Sequence, residues 1–169
     1  IVAHVSMAKP VSKLLGQCCE TALEKLNIPH QMNGTYVVME GPQFSTFAES
    51  NLYRSWNADV IGMTNMPEAK LAREAEIRYC TVAMVTDYDC WHPDHNEVDV
   101  SMVIQTLKKN ALNAQNMIKE IIKTFKDFST NKDPANDCLD TAVITDPAFR
   151  TKKTIKKLQY IAGRVLNKK

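Results

Sequence analysis

This chain has little net charge, and it has no metal-binding cysteine pattern and no sequence repeat. Its 21 basic and 19 acidic residues leave a net charge of only +2, so no overall field favours nucleic acid or a membrane surface, although small anions are not excluded. The cysteines have no CxxC or other metal-ligand spacing, and an odd number of them cannot all pair within one chain. We therefore expect the protein to lie in a reducing compartment, the cytoplasm. Its five cysteines are Cys18, Cys19, Cys80, Cys90 and Cys138.

Long apolar runs and targeting signals are also missing. No run approaches the ~20 apolar residues that span a bilayer, and the first residues lack the charged and apolar blocks of a signal peptide. The hydrophobic fraction of 44% and charged fraction of 24% are typical of a soluble globular protein. At 169 residues the chain is predicted to form one domain.

Strand and helix patterns alternate along the chain. Apolar stretches predict strands at residues 1–5, 35–39, 59–63 and 79–86. Helical patterns begin at Pro10, at Thr46 and at Thr64 or Asn65, and a long helix begins at Ser101. Thr46 and Glu49 form a predicted capping box. This alternation predicts an α/β fold with a largely parallel mixed sheet flanked by helices.

The two ends of the chain differ from this regular pattern. The first predicted strand begins at Ile1 without a cap or turn before it, so we expect the sequence to be part of a larger polypeptide. Residues 129–145 are polar and predict a loop or a lid, and Asp146 with Pro147 is predicted to cap a terminal helix. Its basic face is more typical of a solvated surface than of a phosphate or nucleic-acid site.

Two carboxylates follow the predicted fourth strand. Asp87 and Asp89 are two residues apart, so in an extended chain both point to one side. A buried strand has little reason to end on paired negative charge unless a ligand there needs a proton or an acceptor. An ion pair or a helix cap is the competing interpretation.

Two other predicted strands are also followed by polar loops. Ligands of open parallel sheets bind outside the carboxyl ends of the strands, where residues 40–45, 62–65 and 86–89 would meet. Taken alone, Phe44 would be an ordinary core aromatic and Thr64 a helix cap. Together the three loops offer an aromatic face, a hydroxyl beside a helix amino terminus and two carboxylates, which favours a nucleoside site.

An ordered series of motifs resembles a known family. Residues 39–50 (MEGPQFSTFAES), 58–64 (ADVIGMT), 66–68 (MPE) and 83–91 (AMVTDYDCW) are similar to the 5'-methylthioadenosine phosphorylases, which belong to the trimeric purine nucleoside phosphorylases. The resemblance runs from residues 4–10 to about Leu107 and fades beyond Phe125. It implies that residues 1–169 are the carboxyl-terminal part of one nucleoside phosphorylase-like domain, with 1–128 matching the family and 129–169 forming a divergent loop and terminal helix.

The resemblance assigns roles to five residues around the nucleoside. Phe44 would lie against the purine, Met63 would contact the ribose hydroxyls, and Thr64 would contact phosphate. Asp87 and Asp89 would face the base. The reaction implied is phosphorolysis of 5'-methylthioadenosine to adenine and 5-methylthioribose 1-phosphate, with phosphate as co-substrate and with no metal or organic cofactor.

The resemblance also implies an apolar pocket and a trimer. Val100, Val103 and Ile104 would line the pocket for the 5'-substituent, and His4 would reach it from a neighbouring subunit. The competing interpretation is that the three apolar residues are simply the buried face of the long helix. The partners implied are a purine nucleoside, phosphate and two further copies of the chain, without nucleic acid or membrane.

The paired aspartates have a chemical rationale in this reaction. Adenine leaves poorly as an anion, so a carboxyl group that protonates N7 speeds departure, and we assign this role to Asp87. Asp89 is the second carboxylate beside it and would help to select the base. An ionised carboxylate accepts a hydrogen bond from the exocyclic amino group of adenine, whereas a 6-oxopurine would present it with another acceptor.

The sequence departs from the family at a few positions. Gln43 and Phe47 stand where the family usually has arginine, and Gly62 stands where some branches have asparagine. The family's amino-terminal half, with its glycine-rich phosphate loop, has no counterpart in these residues. Two alternatives to methylthioadenosine phosphorolysis therefore stay open: another purine nucleoside phosphorylase, and a noncatalytic remnant that acts as an interaction module.

Overall fold

The computed structural model describes residues 1–92, 100–129 and 132–167, and gives the backbone alone for 100–103 and 126–129. Its helices are α1 (Lys13–Lys25), α2 (Phe47–Ser55), α3 (Asn65–Glu74), α4 (Val100–Ser129) and α5 (Lys152–Leu166), with a short 3-10 helix at Pro147–Phe149. Its strands are β1 (Tyr36–Val38) and β2 (Val60–Gly62). None of the helices in the described residues is both long and apolar enough to cross a membrane.

The two strands form a parallel pair. Tyr36 lies opposite Val60 and Val38 lies opposite Gly62. Both strands consist largely of β-branched and aromatic residues, which suit an extended backbone. The chain passes from β1 to β2 through helix α2, the connection that parallel strands require. The α/β architecture predicted from the alternating pattern is confirmed.

The chain divides into two compact units. The first contains Ile1–Gly16, Pro67–Cys80 and Thr130–Lys169, and the second contains Gln17–Met66 and Thr81–Ser129. The core of the first unit is built on Leu139, Ala142, Val165 and Leu166. The core of the second unit is built on Ala22, Leu23 and Met117, with Val82 and Met84 packed against it.

Two of the four predicted strands are wrong. Residues 79–86 contain no strand, because the partners described for their backbone are not a neighbouring strand: the carbonyl of Tyr79 accepts from the Ser12 N–H, and that of Val85 accepts from the Asn110 side chain. Residues 1–5 make one isolated antiparallel bridge, between Ala3 and Val143. In both stretches the apolar pattern predicted an extended chain but could not predict its partner.

The capping assignment near the end of the chain also needs correction. Asp146 accepts a hydrogen bond from the Ala148 N–H and so caps the short 3-10 helix, whereas α5 is capped by Thr151. The loop before it is more buried than its polar sequence predicted, because Asp133 accepts the Ser12 hydroxyl and Ala135 is only 2% exposed. The lysines on the first two turns of α5 are exposed, as expected for a solvated face: Lys152, Lys153, Lys156 and Lys157.

One carboxylate ties three segments of the first unit together. Glu76 accepts hydrogen bonds from the Leu139 N–H at 3.0 Å and from the Arg164 guanidinium of α5, whose Nη2 lies 2.5 Å away. Arg164 also pairs with Asp140 at 2.6 Å. Burial raises the pKa of the Glu76 carboxyl, but the hydrogen bonds from Arg164 and Leu139 outweigh burial, so the pKa lies below its ordinary value of 4.5.

The substitution Glu76→Gln should lower the free energy of unfolding by about 1 kcal/mol at pH 7, because a charge-assisted network becomes a weaker neutral one. A carboxyl with a lowered pKa stabilises the fold above its unfolded pKa and loses that effect as pH falls through its folded pKa. The difference between wild type and variant in urea unfolding should therefore shrink as pH falls below about 4.5.

Glu24→Gln, on the exposed side of α1, is the matched control and should change the free energy of unfolding little at any pH. Equal effects of the two substitutions at pH 7 would show that the Glu76 network does not anchor α5.

Candidate active site

The parallel register brings two of the predicted loops to one edge of the sheet. Val38 pairs with Gly62, and the Met39 N–H extends the ladder by donating to the Gly62 carbonyl at 3.0 Å. The loop that follows β1 and the loop that follows β2 therefore start side by side. This is the edge at which open parallel sheets bind their ligands.

The loop after β1 turns sharply and exposes an aromatic ring. Gly41 has a φ of +73°, which residues with a side chain rarely adopt, so the turn requires glycine. A Cβ there would lie 2.7 Å from the Met63 sulfur and would displace that side chain. Phe44 is 84% exposed. The alternative that Phe44 is an ordinary core aromatic is therefore wrong, and its ring is available to a ligand.

A capping box fixes where this loop ends. The Thr46 side chain accepts from the Glu49 N–H, and the Glu49 carboxylate accepts from the Thr46 N–H at 2.7 Å, as the sequence predicted. These hydrogen bonds from Thr46 hold the pKa of Glu49 below its ordinary value. The box starts α2 three residues after Phe44 and so limits the freedom of the loop.

The loop after β2 presents the second pair of predicted residues. Met63 is half-buried against Gly41, and Thr64 is exposed immediately before α3 begins at Asn65. The Asn65 side chain accepts the Thr81 hydroxyl, so this loop is joined to the segment that leads to Asp87.

The loop from Thr86 to His92 carries the two predicted carboxylates. Asp87 is exposed and accepts the Thr86 hydroxyl, while Asp89 is half-buried and accepts the Cys90 N–H at 2.9 Å. Within the described part of the chain neither forms an ion pair, so the alternative of a structural salt bridge is not supported there. The two side chains share a loop, although the segment before them is not a strand.

Two contacts hold the acidic loop against the aromatic loop and α2. The Cys90 thiol donates to the Ser45 carbonyl at 3.5 Å, which joins the residues next to Asp89 and Phe44. The Arg54 guanidinium lies 3.9 Å from the Trp91 ring centre, a cation–π contact. We call these two contacts the loop clasp. Neither contact is predicted by the sequence, because no local pattern relates positions 45 and 54 to positions 90 and 91.

The long helix α4 contacts the segment before Asp87. The Asn110 side chain donates to the Val85 carbonyl at 3.0 Å, two residues before Asp87. Ile104, on the same helix, is 45% exposed and so is not part of a buried helix face. The side chains of Val100 and Val103 lie outside the described residues.

His4 belongs to the other compact unit. It is exposed, and its N–H donates to the Ala142 carbonyl at 2.9 Å. With Lys9, Arg73 and Cys138 it lines a cavity of about 340 Å³. The second unit thus brings together five of the predicted residues, Phe44, Met63, Thr64, Asp87 and Asp89.

A comparison with family models identifies the class of protein to which this fold belongs. The model of the phosphorylase superfamily matches residues 2–123, and the chain belongs to that superfamily. The resemblance predicted from the motifs is confirmed.

Individual relatives within the superfamily are also similar to this chain. The chain is 58% identical over 167 residues to the S-methyl-5'-thioadenosine phosphorylase of Rhodospirillum rubrum, covering 98% of this chain and 57% of the relative. It is 53% identical over 169 residues to the enzyme of that name from Synechocystis, covering 97% of this chain and 51% of the relative. The chain thus spans about half the length of these curated relatives.

Solved structures agree with the sequence comparison. A methylthioadenosine phosphorylase from an Antarctic soil metagenomic library superposes with a TM-score of 0.87 and 45% identity, covering 95% of this chain and 56% of that one. An adenosine/methylthioadenosine phosphorylase variant from Schistosoma mansoni, in complex with adenine, gives a TM-score of 0.68 and 29% identity, covering 75% of this chain and 50% of that one.

The loop clasp predicts the behaviour of Trp91. The Trp56→Phe background leaves Trp91 as the one tryptophan of the sequence. In that background Arg54→Met should lower the free energy of unfolding by about 0.5–1 kcal/mol, because the cation–π contact is lost. It should also increase acrylamide quenching of Trp91, because the ring loses its cover. Arg54→Lys retains a cation and should change both measurements less. Quenching that is identical in all three proteins would show that Arg54 does not hold this loop.

Proposed function

We propose that the whole protein cleaves 5'-methylthioadenosine with phosphate, giving adenine and 5-methylthioribose 1-phosphate, a pentosyl transfer of purine and methionine salvage. The observation that carries the proposal is the contact between Cys90 and Ser45, which holds the acidic loop beside the exposed Phe44. An aromatic face beside carboxylates suits a purine, which stacks on one and hydrogen-bonds to the other. The names of the relatives support the same substrate.

The proposed reaction divides its work between the base and the sugar. A phosphate oxygen attacks the anomeric carbon while the bond to N9 of the purine breaks, and the electron pair of that bond moves into the ring. Asp87 donates a proton to N7, so adenine leaves as a neutral molecule, a contribution worth about 10²–10⁴-fold. Asp89 accepts a hydrogen bond from the exocyclic amino group and thereby favours 6-aminopurines.

The proposed phosphate contact of this chain is limited. Thr64 offers a hydroxyl beside the start of α3, where helix N–H groups favour anions. Gln43 and Phe47, where the family usually has arginine, supply no positive charge. Because the relatives are about twice as long, we propose that further phosphate-binding groups belong to the part of those proteins that this chain does not match.

The 5'-substituent is assigned to α4 and to a neighbouring subunit. Ile104 exposes apolar surface, and we propose that Val100 and Val103 extend this surface into a pocket for the methylthio group. His4 would complete the pocket from a second copy of the chain, so the active form would be a homotrimer. We further propose that the protein is cytoplasmic, uses no metal or organic cofactor, and contains residues 1–169 as the carboxyl-terminal part of one domain, with 1–128 as its family-matching portion.

The proposal is tested by the products that the purified whole protein forms. Incubation with 5'-methylthioadenosine and phosphate should give adenine and 5-methylthioribose 1-phosphate in equal amounts, and omission of phosphate should abolish both. Faster cleavage of inosine would favour another purine nucleoside phosphorylase. Absence of adenine release at saturating substrate would favour a noncatalytic module.

The role of Asp87 predicts both a rate effect and a specificity effect. Asp87→Asn should lower kcat for 5'-methylthioadenosine by about 10²–10⁴-fold, because the amide cannot protonate N7. It should also raise the relative rate with inosine, because the 6-oxo group lies beside N7 and an amide at position 87 can donate a hydrogen bond to it, which an ionised carboxylate cannot. Asp137→Asn, at an exposed position in the first unit, is the control and should retain full activity. Equal kcat values for the two variants would remove Asp87 from the mechanism.

The apolar pocket predicts discrimination at the 5' position. Ile104→Ser should lower kcat/KM for 5'-methylthioadenosine more than for adenosine, because an apolar wall favours the methylthio group over a hydroxyl that loses hydrogen bonds there. The control is Ile122→Ser, at another exposed isoleucine on α4. If both variants keep the wild-type ratio of the two kcat/KM values, Ile104 does not line the pocket.

A further inference from the structure

Gly62, the last residue of β2, has no room for a side chain. A Cβ placed on it would lie 2.0 Å from the hydroxyl oxygen of Tyr36, 2.9 Å from Cζ and 3.3 Å from Cε1 of the same ring. The left-handed φ values belong to other glycines, Gly34 and Gly41, so the backbone conformation of Gly62 does not itself demand glycine. The constraint at Gly62 is therefore the Tyr36 side chain.

The register of the sheet explains why these two residues meet. Tyr36 is paired with Val60, and side chains two residues apart on a strand share a face, so position 62 lies on the face that carries the Tyr36 ring. Side chains in strands lean along the strand, which carries the long tyrosine ring toward the carboxyl end of β2. The half-buried ring thus ends against the Gly62 backbone.

Gly62 connects the sheet to both candidate loops. Its carbonyl accepts the Met39 N–H at 3.0 Å, just before the loop that carries Phe44. Its own carboxyl side continues directly into Met63, whose sulfur packs on Gly41, and then into Thr64. A displacement of Gly62 would therefore move the residues assigned to ribose and phosphate.

We propose that Tyr36 is a positioning residue for the site: its ring, packed on the bare backbone of Gly62, sets the place of Met63 and Thr64. The inference rests on the proposed function, because it is the assigned phosphate contact of Thr64 that gives the position a consequence. Tyr36 contacts no reacting atom and acts through the backbone of β2. Its effect should be seen in the use of phosphate more than in the use of the nucleoside.

The test is a set of variants of the whole protein. Gly62→Ala should raise KM for phosphate about 10–100-fold, because small displacements of binding groups are costly, with a smaller change in KM for 5'-methylthioadenosine. Gly62→Ala combined with Tyr36→Leu should return KM for phosphate toward the wild-type value, because leucine leaves space for the new methyl group. Tyr36→Phe combined with Gly62→Ala should recover less, because Cζ remains 2.9 Å from the added carbon.

The matched control is Gly163→Ala, where a Cβ meets its nearest neighbour at an ordinary 3.5 Å, and it should leave both KM values unchanged. Urea unfolding of each variant separates lost phosphate binding from lost folding. An unchanged KM for phosphate in Gly62→Ala, or a double variant no better than Gly62→Ala alone, would overturn the proposal. If the wild-type protein releases no adenine, the proposed function fails, and calorimetric phosphate affinities of the same proteins decide the positioning role instead.

Discussion

The parallel pairing of β1 with β2 is the constraint on which the candidate site depends. Its register places Val38 opposite Gly62. The last residues of the two strands are therefore paired, and their loops begin side by side. A shift of one residue would turn every side chain of one strand to the opposite face and separate these loops. The contact between Tyr36 and Gly62 is made in this register, so it is part of the same constraint.

The chemistry of the site lies in loops, and contacts outside the sheet hold those loops. Thr46 and Glu49 end the aromatic loop, Asn65 accepts from Thr81, and the loop clasp joins the acidic loop to its neighbours. Thr64 and Asp87 stay exposed and Asp89 is half-buried, while these contacts hold the loops that carry them. Such pre-organisation lowers the cost of ordering the site when a ligand binds.

Local sequence patterns predicted the elements of this fold better than the contacts between them. The capping box at Thr46 is set by residues three positions apart, and it was predicted. The segment at 79–86 was predicted as a strand because its apolar pattern specifies an extended chain but not a partner. The contact of Arg54 with Trp91 spans positions that no periodic pattern relates, so it could be found only from the folded chain.

The candidate site was likewise predicted in part. Five of the residues assigned by resemblance lie on loops of the second unit, and their roles toward substrate stay proposals: Phe44, Met63, Thr64, Asp87 and Asp89. The reason for a glycine at position 62 could not be predicted from the sequence alone. A glycine at the end of a strand suggests a turn, whereas the structure explains Gly62 by the volume of the Tyr36 ring on the neighbouring strand β1.

The central claim is that the aromatic loop and the acidic loop form one adenine site. A crystal structure of the whole protein with adenine and phosphate tests it most directly. The account predicts the Phe44 ring stacked on the purine and an Asp87 carboxyl oxygen within hydrogen-bond distance of N7, with phosphate at the Thr64 hydroxyl. Adenine bound away from these loops, or bound with Asp87 turned from N7, would contradict it.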